Sequence, residues 1–418
     1  MADAGLTLAA PALPAKRIAS IDVLRGVALL GILVLNIQTF AMPFEAYTNP
    51  TAYGDLTGAN HWVAYFTHVL GDMKFMAIFS MLFGAGIVLL TERLEATGRS
   101  AIGVHYRRML WLLAFGFIHA YGIWYGDILV GYAICGMWVV WLRSLQPWLL
   151  VLIGLVVVSI SSILMGGMGL LLLVSTEEEL AEITASLGSP EESIQSQLEI
   201  YRSGWVAQLS HRLPAAGTMQ TMMFGFYTLW RASGLMLIGM ALYRWGVFSC
   251  RASTATYAMM LALGILFGIP IVWWGLELKW DANWEWIQSE FLYYQFNYWG
   301  SILVALGWVG LVMLFVKSGM LRWFQHALAC VGRMALTNYL LQSLVCTLVF
   351  YGHGLGYFGE VDRVGQILVV LGVSVAQLIW SPLWLAAFRF GPFEWLWRSL
   401  TYWNLQPLRR RPPVIPGG

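Results

Sequence analysis

Residues 147–174, PWLLVLIGLVVVSISSILMGGMGLLLLV, contain no charged side chain. A helix rises about 1.5 Å per residue, so a helix of this length exceeds the roughly 30 Å hydrocarbon core of a bilayer. Lipid offers no water to backbone amides and carbonyls, and a continuous helix satisfies them within one segment. This run therefore predicts a membrane-spanning helix.

Similar apolar segments recur along all 418 residues. The chain is 59% hydrophobic and 11% charged, whereas a soluble domain has roughly 25% charged residues. We predict an all-α, polytopic integral membrane protein with one transmembrane domain over residues 1–418. Ten spans are expected, at residues 21–41, 73–92, 109–125, 127–143, 147–174, 218–243, 254–276, 291–316, 328–350 and 365–388. An eleventh element, HWVAYFTHVL at 61–70, is too short to span alone and indicates an interfacial or re-entrant helix.

Basic residues fall mainly on one side of these spans. Apart from those in or beside spans, the other side keeps only four of the 24 Lys and Arg residues: Arg202, Arg212, Lys279 and Arg363. Cytoplasmic loops carry the excess of Lys and Arg, so both termini are predicted to be cytoplasmic. The first residues, MADAGLTLAAPALPAKR, place their positive charges after the apolar part, which does not fit a cleavable signal peptide.

Three segments are expected to lie outside the membrane. Residues 41–70 form an external loop that ends in the short interfacial helix, and residues 175–216 form an external amphipathic segment, either a lid over a site or a solvated connector. Residues 389–418 form a cytoplasmic basic tail, whose RRRPP run fits the positive-inside rule better than nucleic-acid binding. The four cysteines lack metal-ligand spacing, and no metal site is expected.

Polar residues mark the first span, SIDVLRGVALLGILVLNI. Asp22 and Arg25 are three residues apart and share a helix face, where they can pair. Asn36 follows Arg25 by eleven residues, or three turns, and points in nearly the same direction. The pair either sets the depth of the helix at the interface or lines an interior groove together with Asn36.

The fourth predicted span begins close to a histidine. His119 is the one histidine well inside a predicted span, and Asp127 follows it across a WYG turn. Histidine changes protonation near neutral pH, and a carboxylate can fix its tautomer. The alternatives are a proton-transfer pair and a structural histidine bonded to a backbone carbonyl.

Several further cations lie within predicted spans. Arg333, Asn338 and Gln342 recur at five and four residues and can face one cavity, while Arg231 and Lys74 lie elsewhere. Many buried cations with few buried acids favour an anionic guest such as a phosphate. The arginines could equally hold lipid headgroups or cap interior carbonyls, and Lys74 could extend to the headgroups.

Five motifs resemble the YeiB-like family of bacterial inner-membrane proteins, a domain of unknown function: SIDVLRGVALLGILVLNI, KFMAIFSMLFGAG, GFIHAYGIWYGDILVGYA, VGRMALTNYLLQSL and GPFEWLWR. The first span is also similar to those of heparan-glucosaminide N-acetyltransferases and of membrane acyltransferases that modify surface glycans. The latter carry an arginine, ten residues and a histidine, whereas Arg25 is followed at that spacing by Asn36.

The resemblance implies a transmembrane acyltransferase in the bacterial inner membrane. Acyl-CoA, such as acetyl-CoA, would enter from the cytoplasm as co-substrate, held by Arg25 and Arg333 with Asn338, Arg231 and Lys74 as further ligands. His119, or else His61 or His68, would act as the general base, with Asp127 orienting it and Asn36 stabilising the oxyanion.

The acceptor on the outer side is unspecified, and the acetyltransferase relatives also indicate a homodimer. Besides acyl-CoA and the acceptor, membrane lipids are the expected partners. The alternative functions are a transporter or flippase for an anionic lipid or small metabolite, and a non-catalytic membrane scaffold. Uptake without covalent change would separate transport from acyl transfer.

Overall fold

The computed structural model describes residues 18–187 and 189–410, and these residues form helices without a β-strand. The predicted all-α, polytopic membrane fold is confirmed. Within the described part, helical segments long and apolar enough to cross a bilayer are Ala19–Ala41, Gly58–Glu95, Pro147–Val174, Thr254–Asp281, Gln288–Ser318 and Arg363–Ala387. Leu129–Leu142 and Ala335–Phe350 are shorter apolar helices. The count of ten spans and the cytoplasmic termini stay predictions.

The α-helices have the following bounds: α1 Ala19–Ala41, α2 Glu45–Thr48, α3 Gly58–Leu70, α4 Lys74–Glu95, α5 Ala101–Gly122, α6 Leu129–Val139, α7 Pro147–Val174, α8 Glu177–Leu187, α9 Pro190–Tyr201, α10 Leu209–Thr218, α11 Leu229–Arg244, α12 Thr254–Leu263, α13 Ile269–Asp281, α14 Tyr294–Ser318, α15 Arg322–Arg333, α16 Ala335–Phe350, α17 Arg363–Ala387 and α18 Pro392–Tyr402. Stretches of wider π-helical winding precede α11, α13 and α14, at Met219–Thr228, Gly264–Gly268 and Gln288–Tyr293.

Several predicted segments differ from the observed helices. The predicted span 147–174 coincides with α7, whereas 328–350 is divided between α15 and α16, at Met334. The short helix predicted at 61–70 begins at Gly58, and a turn at 71–73, in which Met73 has a φ of 65°, separates it from α4. The segment 389–418 contains helix α18 rather than only a tail. The expectations for residues 1–17 and for 411–418 lie outside the described residues.

Helix α1 lies inside the bundle, where it packs against α4, α14, α15, α16 and α17. Its closest crossing, with α15, depends on two glycines. A Cβ on Gly26 would overlap the carbonyl oxygen of Leu328, and a Cβ on Gly332 would overlap that of Asp22. Small residues of this kind let membrane helices approach closely. The crossing therefore places α1 and α15 side by side at the positions that also carry Arg25 and Arg333.

Residues 175–216, called here the lid segment, contain α8, α9 and α10. Helix α8 is mostly exposed, whereas α9 and α10 are packed onto the bundle. The amide of Gly352 donates to the Tyr201 carbonyl at 2.8 Å, and the Trp205 indole donates to the Gly122 carbonyl at 3.0 Å. The end of the bundle beneath this segment, where α1 ends, is the lid face. The opposite end, where α1 begins, is the basic face.

Candidate functional site

A cavity of about 790 Å³ opens between α1, α4, α5, α6, α15, α16 and α18. Ligand pockets commonly have volumes of roughly 300–1,000 Å³. Its middle is apolar, with Leu29, Phe83, Met109 and Leu112 among the lining side chains. The polar residues gather at its two ends, so the cavity is amphipathic along its length.

One end of the cavity, at the basic face, is rich in arginine. Of the described residues, two carboxylates, Asp22 and Glu394, and six arginines line the cavity: Arg25, Arg93, Arg99, Arg108, Arg333 and Arg398. Arg25 Nη1 donates to Asp22 Oδ1 at 2.9 Å, which confirms the contact expected from their spacing. The structure brings Arg25 and Arg333 to one cavity because α1 and α15 cross at Gly26 and Gly332.

Helix α18 closes one side of this mouth. Glu394 accepts hydrogen bonds from the Leu336 and Thr337 amides, at 2.7 and 3.0 Å, and so caps the first turn of α16. Burial raises the pKa of the Glu394 carboxyl, against the lowering effect of these hydrogen bonds. The Arg108 guanidinium lies 4.4 Å from the centroid of the Trp397 ring. These contacts fix α18, and with it Arg398, at the cavity.

Sequence reasoning missed Arg108, Glu394 and Arg398 as site residues. A signal was present in GPFEWLWR, where a proline begins a helix and Glu394 and Arg398 are four residues apart on one face. The basic residues that follow it predict a cytoplasmic tail for this stretch, and that prediction places its side chains outside the bundle interior.

The other end of the cavity, towards the lid face, lies next to the predicted histidine. Tyr339 lines the cavity, and its ring centroid is 5.0 Å from that of His119. Ile128 also lines the cavity, and its amide approaches the Tyr339 hydroxyl at 3.4 Å. Tyr339 and Ile128 thus form the boundary between the cavity and the histidine.

His119 and Asp127 form a buried pair. His119 Nδ1 lies 2.7 Å from Asp127 Oδ2, and the two side chains are 0% and 1% exposed. Asp127 Oδ1 accepts the Val130 amide at 2.8 Å, at the beginning of α6. In the neutral imidazole, the hydrogen bond to this carboxylate places the proton on Nδ1 and leaves Nε2 with a lone pair. Among the described residues Nε2 has no hydrogen-bond partner, so its lone pair is unused.

Asn36 lies on the same stripe of α1 as the cavity residues. Arg25, Leu29 and Ile32 line the cavity at spacings of four and three residues, and Asn36 follows four residues later. Asn36 is half-buried and does not itself line the cavity. One turn further along, Phe40 stacks on Trp124 at 4.2 Å, and Trp124 neighbours His119. The end of α1 that carries Asn36 is therefore packed beside the C-terminal end of α5, which carries His119.

The structure does not bring Asn338 into the cavity. Asn338 Nδ2 donates to the Val331 carbonyl and to Ser381, and its Oδ1 accepts from the Trp380 indole. Gln342, in the same predicted cluster, donates to Gln377 of α17 at 2.9 Å. These amides join α16 to α17.

Lys74 and Arg231 also lie outside the cavity lining. Lys74 Nζ donates to the His68 carbonyl at 2.7 Å and to Asn297 Oδ1 at 2.6 Å. Arg231 donates to the Tyr298 carbonyl at 2.9 Å, and its guanidinium lies 4.4 Å from the Tyr298 ring centroid. Both cations are buried and hydrogen-bonded to protein groups, which is the arrangement expected of carbonyl-capping residues.

The other histidines considered as bases lie away from the cavity as well. His61 packs against Tyr65 and Trp280, with ring centroids 5.0 and 5.6 Å away. His68 Nδ1 is 3.6 Å from Asp72 Oδ2. Neither lines the arginine-rich cavity, so His119 is the predicted base that adjoins it.

Comparison with known proteins identifies relatives along almost the whole chain. Residues 242–404 match the family described as "Protein of unknown function (DUF418)". The Escherichia coli (strain K12) protein named "Uncharacterized protein YeiB" is 35% identical over 395 residues, covering 92% of this chain and 96% of that protein. The chain belongs to the YeiB-like family. This membership confirms the resemblance seen in the five motifs.

A second YeiB-like relative is more distant but just as extensive. The Bacillus subtilis (strain 168) protein named "Uncharacterized protein YxaH" is 29% identical over 425 residues, covering 97% of this chain and 99% of that protein. No solved structure matches the chain. The DUF418 match includes Arg333, Tyr339 and Glu394, while α1 and His119 precede it. Both parts of the site fall within the length shared with full-length relatives.

Proposed function

We propose that this YeiB-like protein is a transmembrane acyltransferase that moves an acyl group from acyl-CoA to an acceptor on the other side of the bacterial inner membrane. One observation carries the proposal. A single cavity connects a mouth with six arginines to Tyr339, which contacts the His119 ring of the buried His119–Asp127 pair. Arginine suits the phosphates of CoA because its planar guanidinium binds oxyanions in a bidentate manner.

The cavity provides a separate environment for each part of acyl-CoA. The phosphates would bind at the basic face, between Arg25, Arg333 and Arg398. The pantetheine arm and the acyl chain would follow the apolar wall towards Tyr339. Under the positive-inside rule the basic face is cytoplasmic, which is where acyl-CoA is made available.

The transfer reaction would occur at the end of the cavity that Tyr339 lines. His119 Nε2 takes the proton from the acceptor's hydroxyl or amine, and the acceptor atom bonds to the thioester carbonyl carbon. Asp127 stabilises the resulting imidazolium, and the Asn36 amide donates to the developing oxyanion. When the carbon–sulfur bond breaks, the thiolate of CoA receives the proton from His119, so the products are an ester or amide and free CoA.

Native mass spectrometry of the full-length protein in uncharged detergent tests the donor site. Acetyl-CoA and longer acyl-CoAs should give one adduct per chain, which Arg25→Ala and Arg333→Ala should weaken at least tenfold. Arg322→Ala is the matched control, since this arginine is exposed at the same face and does not line the cavity. Absence of any acyl-CoA adduct in the wild type contradicts the proposal.

The same amphipathic cavity favours a second candidate, a transporter or flippase for an anionic lipid or small metabolite. An anionic headgroup between the arginines and an acyl chain against the apolar wall would use the same lining. Proteoliposomes separate the two functions. Release of CoA thiol with a covalently acylated product supports acyl transfer, whereas movement of an unchanged lipid or metabolite supports transport.

A further inference from the structure

A buried arginine at the lid face has unused hydrogen-bonding groups. Arg212 of α10 is 0% exposed. Its Nε donates to the Tyr121 carbonyl at 3.0 Å, but neither Nη1 nor Nη2 has a partner among the described residues. Its guanidinium also lies 5.0 Å from the centroid of the Trp205 ring. Within the described residues no carboxylate lies within 4.0 Å of Arg212, so its charge is buried without a counter-ion.

Other unpartnered polar atoms are buried in the same region of the lid face. Tyr351 is fully buried, and its hydroxyl has no partner in the described part of the chain, nor does His353 Nδ1. Their rings are 5.8 Å apart, and Tyr201 lies 4.6 Å from Tyr351. The Gly352 amide donates to the Tyr201 carbonyl at 2.8 Å, and Gln208 Nε2 donates to the same carbonyl at 3.3 Å. The turn that carries Tyr351 and His353 therefore packs against the chain that leads into α10 and Arg212.

Donors outnumber acceptors at this end of the molecule. Further buried donors without a partner in the described residues are Trp124 Nε1 and Gln220 Nε2, while Gln208 Oε1 is an unpartnered acceptor. Burial of a cation without a counter-ion is unfavourable, and the polar atoms of such a group usually find a partner. A donor-rich, positively charged cluster of this kind is complementary to an oxyanion.

The cluster also lies close to the proposed reaction centre. Arg212 is bonded to Tyr121, two residues after His119. Trp124, whose ring is 6.3 Å from His119, belongs to the same buried contact cluster as Tyr201 and Tyr351. The cluster is on the lid side of His119, whereas the arginine-rich cavity is on the opposite side.

We infer that Arg212, Tyr351 and His353 form an oxyanion-binding subsite, which takes the phosphate or carboxylate group of the acceptor. The Nη atoms of Arg212 and the Tyr351 hydroxyl bind the anion, and this holds the acceptor's hydroxyl or amine towards His119 Nε2. The assignment to the acceptor depends on the proposed acyl transfer, whereas binding of the anion does not. The group belongs either to a lipid headgroup or to a soluble phosphate or carboxylate ester or acid.

The test measures anion binding without acyl-CoA. Full-length protein in dodecyl maltoside and Tris–chloride is titrated with glycerol 3-phosphate, followed by thermal shift. In a second arm, native mass spectrometry compares phosphatidylglycerol with uncharged diacylglycerol. Wild type should bind at least one of the two anionic probes, and Arg212→Met should weaken that binding at least tenfold. Arg202→Gln is the control, since Arg202 is on the same lid segment but is paired with Glu360 at 3.5 Å.

Thermal stability without any oxyanion separates a binding role from a structural one. If Arg212 serves only to fasten the lid segment through Tyr121, Arg212→Met lowers the Tm and the inference fails. If it forms a subsite, the variant unfolds no earlier than wild type, and the anion raises the Tm of wild type and of Arg202→Gln but not that of Arg212→Met. Should Arg212→Met fail to fold, Tyr351→Phe removes one hydroxyl and should weaken binding at least threefold.

The two arms identify the source of the anion. Preference for phosphatidylglycerol indicates a lipid acceptor, and preference for glycerol 3-phosphate indicates a soluble one. No binding of either probe, or equal binding by wild type and Arg212→Met, overturns the subsite. Anion binding in a protein that gives no acyl-CoA adduct would retain the subsite and reject acyl transfer.

Discussion

The position of His119 lets a single atom be tested. Nε2 accepts the proton in the proposed reaction, so His119→Gln should lower acyl transfer by roughly 10²- to 10⁴-fold while the acyl-CoA adduct is retained. Asp127→Asn should also lower the rate, because Asp127 Oδ2 sets the proton on His119 Nδ1. Formation of CoA thiol and acylated product in proteoliposomes gives the rates.

His61→Gln provides a matched comparison, since His61 packs on aromatic rings away from the cavity. Its rate should equal that of wild type. A loss of activity in His61→Gln together with full activity in His119→Gln would assign the base to the other histidine.

The crossing of α1 and α15 is sensitive to one methyl group. In Gly332→Ala the new Cβ would overlap the Asp22 carbonyl, a backbone atom that cannot move without moving α1. Overpacking of this kind costs about 1–3 kcal/mol, and it separates Arg25 from Arg333. We expect a lower Tm and weaker acyl-CoA binding, measured by thermal unfolding and native mass spectrometry.

Gly372→Ala supplies the comparison for that change. Gly372 is in α17, and nothing in the described part of the chain lies within 4 Å of the Cβ it would carry. Its Tm and its acyl-CoA adduct should match those of wild type. Equal effects of the two substitutions would mean that helix propensity, rather than the crossing, determines the result.

At the same scale, local spacing predicts some contacts and not others. The Asp22–Arg25 ion pair and the His119–Asp127 pair join residues three and eight apart, and both could be predicted. Arg108 and Arg398 come from helices far apart in the chain, so only the packing of α18 on α5 brings them to the mouth. Asn338 fitted the predicted cluster, yet α17 supplies its partners.

Among the larger elements, the packing of α10 should depend on pH. Burial lowers the pKa of His211, although Glu45 acts to raise it. When the lid segment detaches, the histidine returns to its ordinary pKa of about 6.5. The detached state then binds more protons, so docking is stable above this value and loses stability as pH falls below it.

Hydrogen exchange of α10 peptides at pH 7.5 and 5.5, corrected for intrinsic rates, measures this effect. Exchange should be faster at pH 5.5 in wild type and less pH-dependent in His211→Gln. His353 acts in the same direction, because burial lowers its pKa as well. In the double variant His211→Gln/His353→Gln the corrected exchange rate should be nearly independent of pH. A wild-type pH response in that variant would contradict the explanation.

The division of 328–350 into two helices shows why element boundaries were missed. The hydrophobic pattern continues across Met334, so the sequence predicts one span. The first turn of α16 instead receives a carboxylate cap from Glu394, far along the chain. A break that depends on a distant cap leaves no local signal, whereas α7, with Pro147 at its start and an uninterrupted uncharged run after it, was predicted to the residue.

Across the described residues, buried or half-buried arginines lie on both sides of the His119–Asp127 pair. The basic face has the arginines of the cavity, the lid face has Arg212, and the His119–Asp127 pair lies between them. Composition predicted the membrane and the all-α fold because hydrocarbon limits the choice of backbone structure. The position of these arginines on either side of the His119–Asp127 pair could not be predicted, because it depends on how the helices pack.

This arrangement requires that the two faces be on opposite sides of the membrane. Labelling of single cysteines with a membrane-impermeant maleimide tests it, using Thr184→Cys in α8 and Ser318→Cys at the end of α14, both at exposed positions. The native Cys135, Cys330 and Cys346 are buried, so only the half-buried Cys250 needs replacement by serine. Thr184→Cys should react in intact cells, and Ser318→Cys only after permeabilisation. Equal reactivity of both cysteines in intact cells would place the two faces on one side of the membrane. Transfer of an acyl group across the bilayer between these faces would then be excluded.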